Sequence, residues 1–320
     1  MKRNMQNNNK HGFNGLMFCP QNISVSIRAI RVPIKSVLVI ALFLLSFASC
    51  KKDLDMTVLQ KTVLEDSDFT CIKAERSWQI EIVQDEKCFV ELEYSAYLEP
   101  HLKCKVTENQ IPLIGNVLEI GFTASGNLAS GSVNKAIVHV VDLESLELTS
   151  ACNADINGSF SKRFLAVLDE SSVCVGGNFL SSVNVELKGA SSMKNLSGEG
   201  SFVIALEDDS HFVGRLKFSQ PESDFAVTAK KNSSFVNQEN SEVAIAEIFS
   251  SENSLVNISQ TIINETVNVN LDENSEAMVH VRDGVCVKGA LNGCSTLYHY
   301  GNPVFASDFV CDTTSSVVRL

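Results

Sequence analysis

Hydrophobic and polar positions recur along this chain with a period of about 20 residues between residues 140 and 300. Each copy alternates apolar and polar positions, passes through a short polar turn, and continues into a second apolar stretch. One apolar position per copy marks the repeat: Ile156, Val173, Met193, Phe212, Phe235, Leu255, Ala277 and Leu297. A unit of this length cannot bury its own apolar face, so the sequence predicts units that stack on one another.

The alternation within each copy has a period of two, which predicts strands. Apolar triples precede four of the markers at ten, eight and six residues, so their side chains are expected to share inward columns. The triples are Val183, Val185, Leu187; Phe202, Ile204, Leu206; Phe225, Val227, Ala229; and Val267, Val269, Leu271. The pattern therefore predicts an all-β fold, a right-handed single-stranded parallel β-helix with coils of about 20 residues. Seven to eight coils are expected, a rod roughly 35–40 Å long at about 4.8 Å per coil.

Serine dominates the turn column, which lies two residues before the markers. The column contains Ala154, Ser171, Ser191, Ser210, Ser233, Asn253, Ser275 and Ser295. A small hydroxyl can bond backbone groups of the neighbouring coil and fits a tight bend, so these serines are expected to be structural rather than nucleophilic. Four asparagines near the turns, Asn232, Asn253, Asn274 and Asn292, are expected to adopt left-handed backbone conformations.

The N-terminal region has the pattern of an export signal. Basic residues precede an apolar run of about a dozen residues within 36–50, and small residues lead to Cys50. This ending resembles a bacterial lipobox, which predicts a lipid at Cys50; ordinary cleavage near Ser49 is the alternative. We expect a signal peptide over 1–49, an over-called start with Met17 as the initiator, a lipid-anchored tether over 50–68, a β-helix over 69–311 and a C-terminal tail over 312–320.

Charge narrows the class of partner. The net charge is −12, and the first 49 residues hold six basic residues and no acidic one, so the rest of the chain carries about −18. Such a surface repels phosphate backbones, which makes nucleic acid an unsuitable partner. The charge suits the solubility of an extracytoplasmic protein, and it is also compatible with a cationic partner or divalent ions.

Six acidic residues at the turns form the candidate binding face: Asp169, Glu170, Asp208, Asp209, Asp272 and Glu273. Stacked acids can bind calcium or supply the acid and base of a glycoside hydrolase. However, Gly189 and Lys231 interrupt the column, and solvated turn charges that discourage lateral sheet association are the alternative. The sequence predicts no cofactor and no catalytic residue.

Histidine and cysteine do not form a recognisable motif. His139 and His280 stand within apolar strands and are expected to be core or edge residues, and the chain has neither His-Glu-x-x-His nor Gly-x-Ser-x-Gly. Eight cysteines follow Cys50: Cys71, Cys88, Cys104, Cys152, Cys174, Cys286, Cys294 and Cys311. Cys71 with Cys88, and Cys152 with Cys174, are possible disulfides; buried free thiols are the alternative.

Three segments give the chain a family resemblance over about residues 69–305. They are FTCIKAERSWQIEIVQDEKCFVELEY, IVHVVDLESLELTSACNADI and the C-terminal LNGCSTLYHYGNPVF, with Tyr298 or Tyr300, Gly301 and Pro303. The chain resembles the head GIN domain family of auto-transporter adhesins, with fewer glycines at the turns than is usual there. The resemblance implies a parallel β-helix at the bacterial surface or in the periplasm, and it carries no catalytic residues.

The sequence therefore predicts an exported, lipid-anchored β-helix protein of the outer membrane or cell surface, with the periplasmic face as an alternative location. It is expected to be a non-enzymatic, adhesin-like module that binds a protein or a glycan, or an architectural spacer. The membrane is expected to be a partner through Cys50. Scarce tyrosine and tryptophan argue against a sugar-binding platform. The alternative function is a carbohydrate-active enzyme that uses the turn carboxylates near Asp208.

Overall fold

A computed structural model describes residues 54–108, 115–123, 128–218 and 223–320. The predicted signal peptide, Cys50 and the first residues of the predicted tether lie outside the described residues. Strands account for 63% of the structure and helix for 2%, and the strands form about nine stacked coils, which confirms the predicted β-solenoid. In the described ranges, no helix has the length and apolar character needed to cross a membrane.

The elements begin with seven strands and one short 3₁₀ helix, Ala96–His101. The strands are β1 Val58–Ser67, β2 Cys71–Glu75, β3 Gln79–Gln84, β4 Cys88–Ser95, β5 Leu102–Thr107, β6 Val117–Phe122 and β7 Asn134–Val140. The coils that follow contain β8 Ser145–Thr149, β9 Asn153–Phe160, β10 Phe164–Leu168, β11 Val173–Phe179, β12 Val183–Leu187, β13 Ser192–Glu199, β14 Phe202–Leu206, β15 His211–Lys217, β16 Phe225–Ala229, β17 Ser234–Asn237, β18 Ser241–Ser250, β19 Leu255–Leu271, β20 Glu276–Val281, β21 Cys286–Leu291, β22 Thr296–Tyr300, β23 Val304–Phe305, β24 Val310–Cys311 and β25 Ser316–Arg319.

Successive coils contribute parallel strands to two long faces. The first face stacks β8, β10, β12, β14, β16, the end of β18, the end of β19, and β21. The second face stacks β9, β11, β13, β15, β17, the start of β19, β20, β22 and β25. Side chains alternate between core and solvent along each strand, so one set of equivalent positions builds the interior.

The inward positions form one continuous core. All four predicted triples point inward and are buried, and their strands pair in register, with Val183 opposite Phe202 and Phe202 opposite Phe225. Phenylalanine rings stack from coil to coil, for example Phe212 and Phe235, whose centroids are 5.2 Å apart. Because each coil covers its neighbours, removing one inward side chain exposes the next coil as well.

The N-terminal end differs from a simple linear coil. Strand β4 pairs antiparallel with both β7 and β1, and β5 pairs antiparallel with β6. Strand β2 lies between β6 and β8, so the order of stacking departs from the order of the chain. This antiparallel block ends the parallel stack and covers its core, as terminal units of solenoids must.

Two expected boundaries need correction. The predicted tether over 50–68 contains strand β1, in which Leu59 and Val63 pack against the core opposite β4. The strand is polar on its other side because it lies at a sheet edge, which explains its tether-like composition. The predicted tail over 312–320 contains β25, which pairs with β22 through Leu297 and Val317. The solenoid therefore extends beyond both expected limits.

Three of the eight repeat markers also need correction. Cys174, not Val173, pairs with Met193, and Ala154, not Ile156, pairs with Cys174. Val256, not Leu255, pairs with Phe235. The corrected inward column contains Ala154, Cys174, Met193, Phe212, Phe235, Val256, Ala277, Leu297 and Val317. Val173 and Leu255 each stand directly before another apolar residue, so alternation gives no register there. Ile156 does face inward, but it lies two residues beyond Ala154 on the same side of β9.

Gly301 follows β22 at a point where two coils approach closely. Its φ is 85°, and a Cβ atom there would lie 2.0 Å from the carbonyl oxygen of Val281. Only glycine avoids both the positive φ and this collision. The close approach of two coils therefore explains why the C-terminal sequence signature has glycine at this position.

Candidate functional site

The turns between the first and second faces share one backbone geometry. Each has three residues between the end of the first-face strand and a small buried residue, and the second and third of these residues have positive φ. The pairs are Ser150 and Ala151, Glu170 and Ser171, Gly189 and Ala190, Asp208 and Asp209, Lys231 and Asn232, Glu252 and Asn253, Glu273 and Asn274, and Gly293 and Cys294. From Ala151 to Asn274, the amide of the third residue donates to the carbonyl of the next coil's second residue, as in Asp209 N to Lys231 O at 2.9 Å. In the last turn the amide of Cys294 donates to Thr314 Oγ1 at 3.1 Å instead. The turns therefore continue the hydrogen-bond ladder around the bend.

A buried serine follows each turn from Ser172 onward. This serine ladder comprises Ser172, Ser191, Ser210, Ser233, Ser254, Ser275 and Ser295, all almost fully buried, and Ser315. At four steps of the ladder the backbone amide of one serine donates to the hydroxyl of the next, as in Ser233 N to Ser254 Oγ at 3.1 Å. Several hydroxyls also donate back into their own turn, as Ser210 Oγ does to the carbonyl of Glu207 at 2.6 Å. The ladder corrects Ser171 and Asn253 to Ser172 and Ser254, and its bonds are those expected of structural serines.

Three of the four predicted left-handed asparagines are confirmed. Asn232, Asn253 and Asn274 have φ near 60° at the third turn position. Asn292 occupies the first turn position instead, and the positive φ values fall on Gly293 and Cys294.

The six candidate acids do not occupy one column. Asp169 and Asp272 stand at the first turn position, because their amides donate to Leu148 and Ser250 of the preceding coils. Glu207 is the equivalent first-position residue of its coil, since its amide donates to Leu187. Glu170, Asp208 and Glu273 therefore share the second position, and Asp209 stands at the third. This offset corrects the assumption that the three acidic pairs are equivalent.

The acid side chains engage their own turns or a lysine. Asp169 Oδ1 accepts the amide of Glu170 at 2.7 Å, and Asp272 Oδ1 accepts the amide of Glu273 at 3.0 Å. Lys231 in the next coil lies 3.1 Å from Asp208 Oδ1 and also contacts Glu207. The hydrogen bonds to these two carboxylates raise the pKa of Lys231. The acids thus stabilise bends that place two left-handed residues in succession.

The spacing of the acids disfavours a paired catalytic role. Asp208 lies two coils from Glu170 and three from Glu273, about 10 and 14 Å at about 4.8 Å per coil. Paired glycosidase carboxylates are about 5–9.5 Å apart. Across the described residues, no group of three or more histidine, cysteine or acidic side chains could hold a metal ion. The role of the six acids as a binding face stays a prediction.

The eight described cysteines are present as free thiols. Burial raises the pKa of Cys104 and Cys174 to about 12 and that of Cys152 to about 11, which keeps these thiols protonated. Cys152 precedes the serine ladder in its column, while Cys174 belongs to the adjacent inward column. His139 was expected to be a core or edge residue; it is half-buried on the outward side of β7, which pairs with strands on both sides. Its ring stacks on Phe89 at 3.8 Å and its Nδ1 lies 2.9 Å from Asp85 Oδ2.

An apolar stretch of the first face points into solvent. This outer face is formed by the outward side chains of β14, β16 and β18: Val203, Ala205, Ala226, Ile245 and Phe249. Asn184 and Glu186 of β12 separate it from the outward residues of β10. Val203, Ile245 and Phe249 are each more than 40% exposed. Exposed apolar surface of this kind marks interaction sites in soluble proteins.

A groove of about 460 Å³ crosses the outer face. Its floor is Ala226, which pairs with Val203 on one side and with Glu247 on the other. Because alanine is small, the taller neighbours leave a depression above it. Glu247 and Glu265 line one side of the groove, so an apolar centre meets an acidic border.

The outer face was not predicted from the sequence. Alternation places one side of each strand in the core, and the prediction treated the other side as polar. The signal was present in strands that are apolar on both sides, such as FVIAL of β14. Continuous apolar runs of five residues are also typical of strands buried on both sides, so the sequence alone leaves this exposure undecided.

Comparisons with known proteins agree with this geometry. Residues 68–303 match the family model described as "Putative auto-transporter adhesin, head GIN domain". A crystal structure described as a putative adhesin from Parabacteroides distasonis is similar, with a TM-score of 0.56 and 12% identity over 83% of this chain and 98% of that one. A putative adhesin from Parabacteroides merdae has a TM-score of 0.55 and 11% identity over 82% of this chain and 96% of that one. No curated protein matches the chain.

Proposed function

Because the chain belongs to the head GIN domain family of auto-transporter adhesins, we propose that it is a non-enzymatic binding module of the bacterial cell envelope. The outer face is the observation that carries this proposal. Apolar residues that are 42–46% exposed on a parallel sheet offer a large pre-formed contact area. Binding a macromolecule requires such an area, whereas an enzyme that acts on a small substrate does not. Among the turn acids, which would serve the enzyme alternative, Asp169 and Asp272 are engaged with their own turns and Asp208 with Lys231.

The partner proposed for the outer face is a protein. Its contact surface has an apolar centre that covers Val203, Ile245 and Phe249, and basic groups that meet Glu247 and Glu265. Burial of the apolar centre supplies most of the binding free energy, at about 25 cal/mol per Å² before the losses of association. The acidic border adds specificity and speeds association with a basic partner.

Site-specific photocrosslinking tests this contact. Phe249 is replaced by a photoreactive phenylalanine analogue in the full chain, and the same analogue at Tyr298, which points outward from β22 on the second face, is the control. We expect a discrete adduct with a heterologous envelope or host protein from position 249 only, weakened by Val203→Glu. Equal adducts from both positions, or adducts with a second copy of this chain alone, would contradict the proposal.

The proposed location rests on the N-terminal segment. An apolar run that ends in Ala48, Ser49 and Cys50 supports export and lipid attachment at the cysteine. Two or three acyl chains on one residue bury enough methylene groups for firm anchoring, whereas one chain gives only reversible binding. The outer leaflet, with the solenoid exposed at the surface, is the proposed position.

Fractionation of cell envelopes tests the anchor. The Cys50→Ala variant is expected to leave the membrane fraction and appear in the periplasm or medium. A Cys19→Ala variant, which changes another cysteine of the N-terminal region, serves as the control and should fractionate like the wild type. Membrane association of Cys50→Ala equal to that of the wild type would overturn the lipid anchor.

A further inference from the structure

A polar cleft of about 460 Å³ opens near the C-terminal end of the solenoid. One wall is a column of outward side chains in register through four coils: Glu242 pairs with Ile262, Ile262 with His280, and His280 with Tyr300. The opposite wall comes from the preceding corner of two coils, with Asn240, Ser259 and Gln260. The cleft therefore combines one carboxylate, amides, a hydroxyl and aromatic rings across about 14 Å of stacked strands.

The carboxylate of Glu242 is held in a fixed orientation. Arg282 Nη2 donates to its Oε2 at 2.7 Å, and Asn264 Nδ2 donates to the same oxygen at 3.3 Å. Its Oε1 has no hydrogen-bond partner among the described residues, and the side chain is about half exposed. A fixed carboxylate with one free oxygen is suited to accept hydrogen bonds from a neutral ligand, since Arg282 already balances its charge.

The other end of the column presents an aromatic surface. Tyr300 is 41% exposed, and its ring centroid lies 5.7 Å from that of His280. His280 was expected to be a core or edge residue; it is half-buried on the outward side. Ile262 separates this aromatic end from Glu242 and gives the wall an apolar middle. A tyrosine ring offers an apolar face with a polar tip, so it can pack on a ligand and still hydrogen-bond with it.

We propose that this cleft binds a neutral saccharide. Sugars present apolar C–H faces and pairs of neighbouring hydroxyls, which match the ring of Tyr300 and the acceptor and amide groups of Glu242 and Gln260. Phosphorylated or sulfated ligands are disfavoured, because the acidic surface of the chain repels them. The cleft lies apart from the outer face, so the inference does not depend on the proposed protein partner.

The register makes the cleft a local feature. Four stacked residues of different chemistry, with Glu242 first and Tyr300 last, require four coils with four different sequences at equivalent positions. The cleft thus needs no extended aromatic platform, and the scarcity of tyrosine and tryptophan does not exclude it.

Binding to a panel of neutral oligosaccharides tests the proposal. The panel contains unsulfated, uncharged glycans, including plant, fungal and mucin-type structures, and the probe protein is the full chain. Affinities for any bound glycan are then measured by titration calorimetry for Glu242→Gln, Tyr300→Ala and the control Tyr298→Ala. Tyr298 belongs to the same strand, is the same residue type and lies outside the cleft lining.

We expect at least one neutral glycan to bind, with affinity lowered tenfold or more in Glu242→Gln and in Tyr300→Ala and within twofold of the wild type in Tyr298→Ala. Melting temperatures of the three variants identify any loss that comes from unfolding, and Glu242→Gln keeps the size of the side chain. Failure of the whole panel to bind would overturn the inference. So would binding restricted to sulfated glycans, or an equal loss in the Tyr298 control. None of these outcomes affects crosslinking from Phe249.

Discussion

At the scale of single residues, the serine ladder explains why serine recurs at the turns. These serines could be mistaken for nucleophiles, but their role is structural. The hydroxyls of Ser191, Ser233 and Ser254 each accept an amide hydrogen from the preceding coil, and each so satisfies a donor that the bend removes from the regular strand ladder. Other hydroxyls of the column donate to carbonyls of their own turns instead. The recurring role of the column is therefore to satisfy backbone groups at the bends, which requires a small side chain with a hydroxyl group.

Adjacent serines allow a matched test of the ladder. Ser191 Oγ accepts the amide of Ser172 at 3.2 Å in the core, whereas Ser192 points away from it and is half-exposed. Ser191→Ala leaves a buried amide without a partner and is expected to lower the free energy of unfolding by about 1–3 kcal/mol. Ser192→Ala is expected to change it by less than about 0.5 kcal/mol. Denaturant unfolding of both variants measures the difference, and similar values would refute the structural role of the column.

A buried histidine gives the molecule a predicted pH dependence. Burial, with a smaller effect of Arg319, lowers the pKa of His299 from its ordinary value of 6.5. As the pH falls below 6.5, the unfolded chain takes up a proton at this position before the folded chain does. The contribution of His299 to the free energy of unfolding is therefore fully present above pH 6.5. It is lost as the pH falls from 6.5 toward the lower pKa that the histidine has in the folded protein.

The matching measurement compares melting temperatures at pH 7.5 and pH 5. The wild type is expected to lose more stability between these conditions than His299→Gln, which has a similar volume and no titrating group. The difference between the two proteins isolates this histidine from carboxylates that titrate in both. A variant as pH-sensitive as the wild type would show that His299 does not contribute.

At the scale of elements, the turn is the unit that sets the register of the coils. Two successive left-handed residues are rare because each costs about 1–2 kcal/mol for a residue with a Cβ atom. Asparagine and glycine lower that cost, and they occupy many of the second and third turn positions. The hydrogen bond from the third residue to the next coil then fixes the height of each bend.

Asn274 is a suitable position for a test of this geometry. Its φ is 61° and its side chain is exposed, so substitutions there change the backbone preference without changing the core. Asn274→Val is expected to destabilise the protein by about 1–2 kcal/mol, because a β-branched residue opposes a positive φ. Asn274→Gly is expected to leave stability nearly unchanged. Thermal melting distinguishes the two, and an equal response would contradict a strained bend.

The repeat period and the inward triples were predictable from the sequence. The register of individual strands was predictable in some coils but not in others. Val173-Cys174-Val175 is apolar at three successive positions and follows two serines, so neither polarity nor composition identifies the inward residue. Pairing of Cys174 with Met193 decides it. By contrast, Phe212 and Phe235 each follow a polar residue and stand at fixed distances from their triples, and both were placed correctly.

The N-terminal block and the cleft escaped prediction for a different reason. Antiparallel pairing of β1 with β4, and the position of β2 between β6 and β8, depend on contacts between distant segments. The cleft likewise depends on the register that brings Glu242 and Tyr300 into one column, about 60 residues apart in the sequence. A periodic pattern predicts which residues face outward, but only the stacking order shows which outward residues are neighbours.

At the scale of the whole molecule, a solenoid is stabilised by contacts between neighbouring coils. The destabilising effect of a substitution is therefore expected to pass from one coil to the next and not to reach all coils at once. Phe212 is fully buried between Met193 and Phe235 in the middle of the described coils. A charge there has no partner in the core and costs several kcal/mol. The neighbouring Val213 points outward on the same strand, beside Lys194 and Val236.

Phe212→Asp and Val213→Asp therefore form a matched pair that differs only in the direction of the new charge. Phe212→Asp is expected to lower the melting temperature strongly, and hydrogen exchange should accelerate first in β13, β15 and β17, which contact the substituted position. The antiparallel N-terminal block should keep its protection longer, because its contacts with β13 run only through the intervening coils. Val213→Asp is expected to change neither measurement appreciably. Equal losses from both variants, or simultaneous loss of protection along the entire chain, would show that the coils do not act as nearest-neighbour units in the register described above.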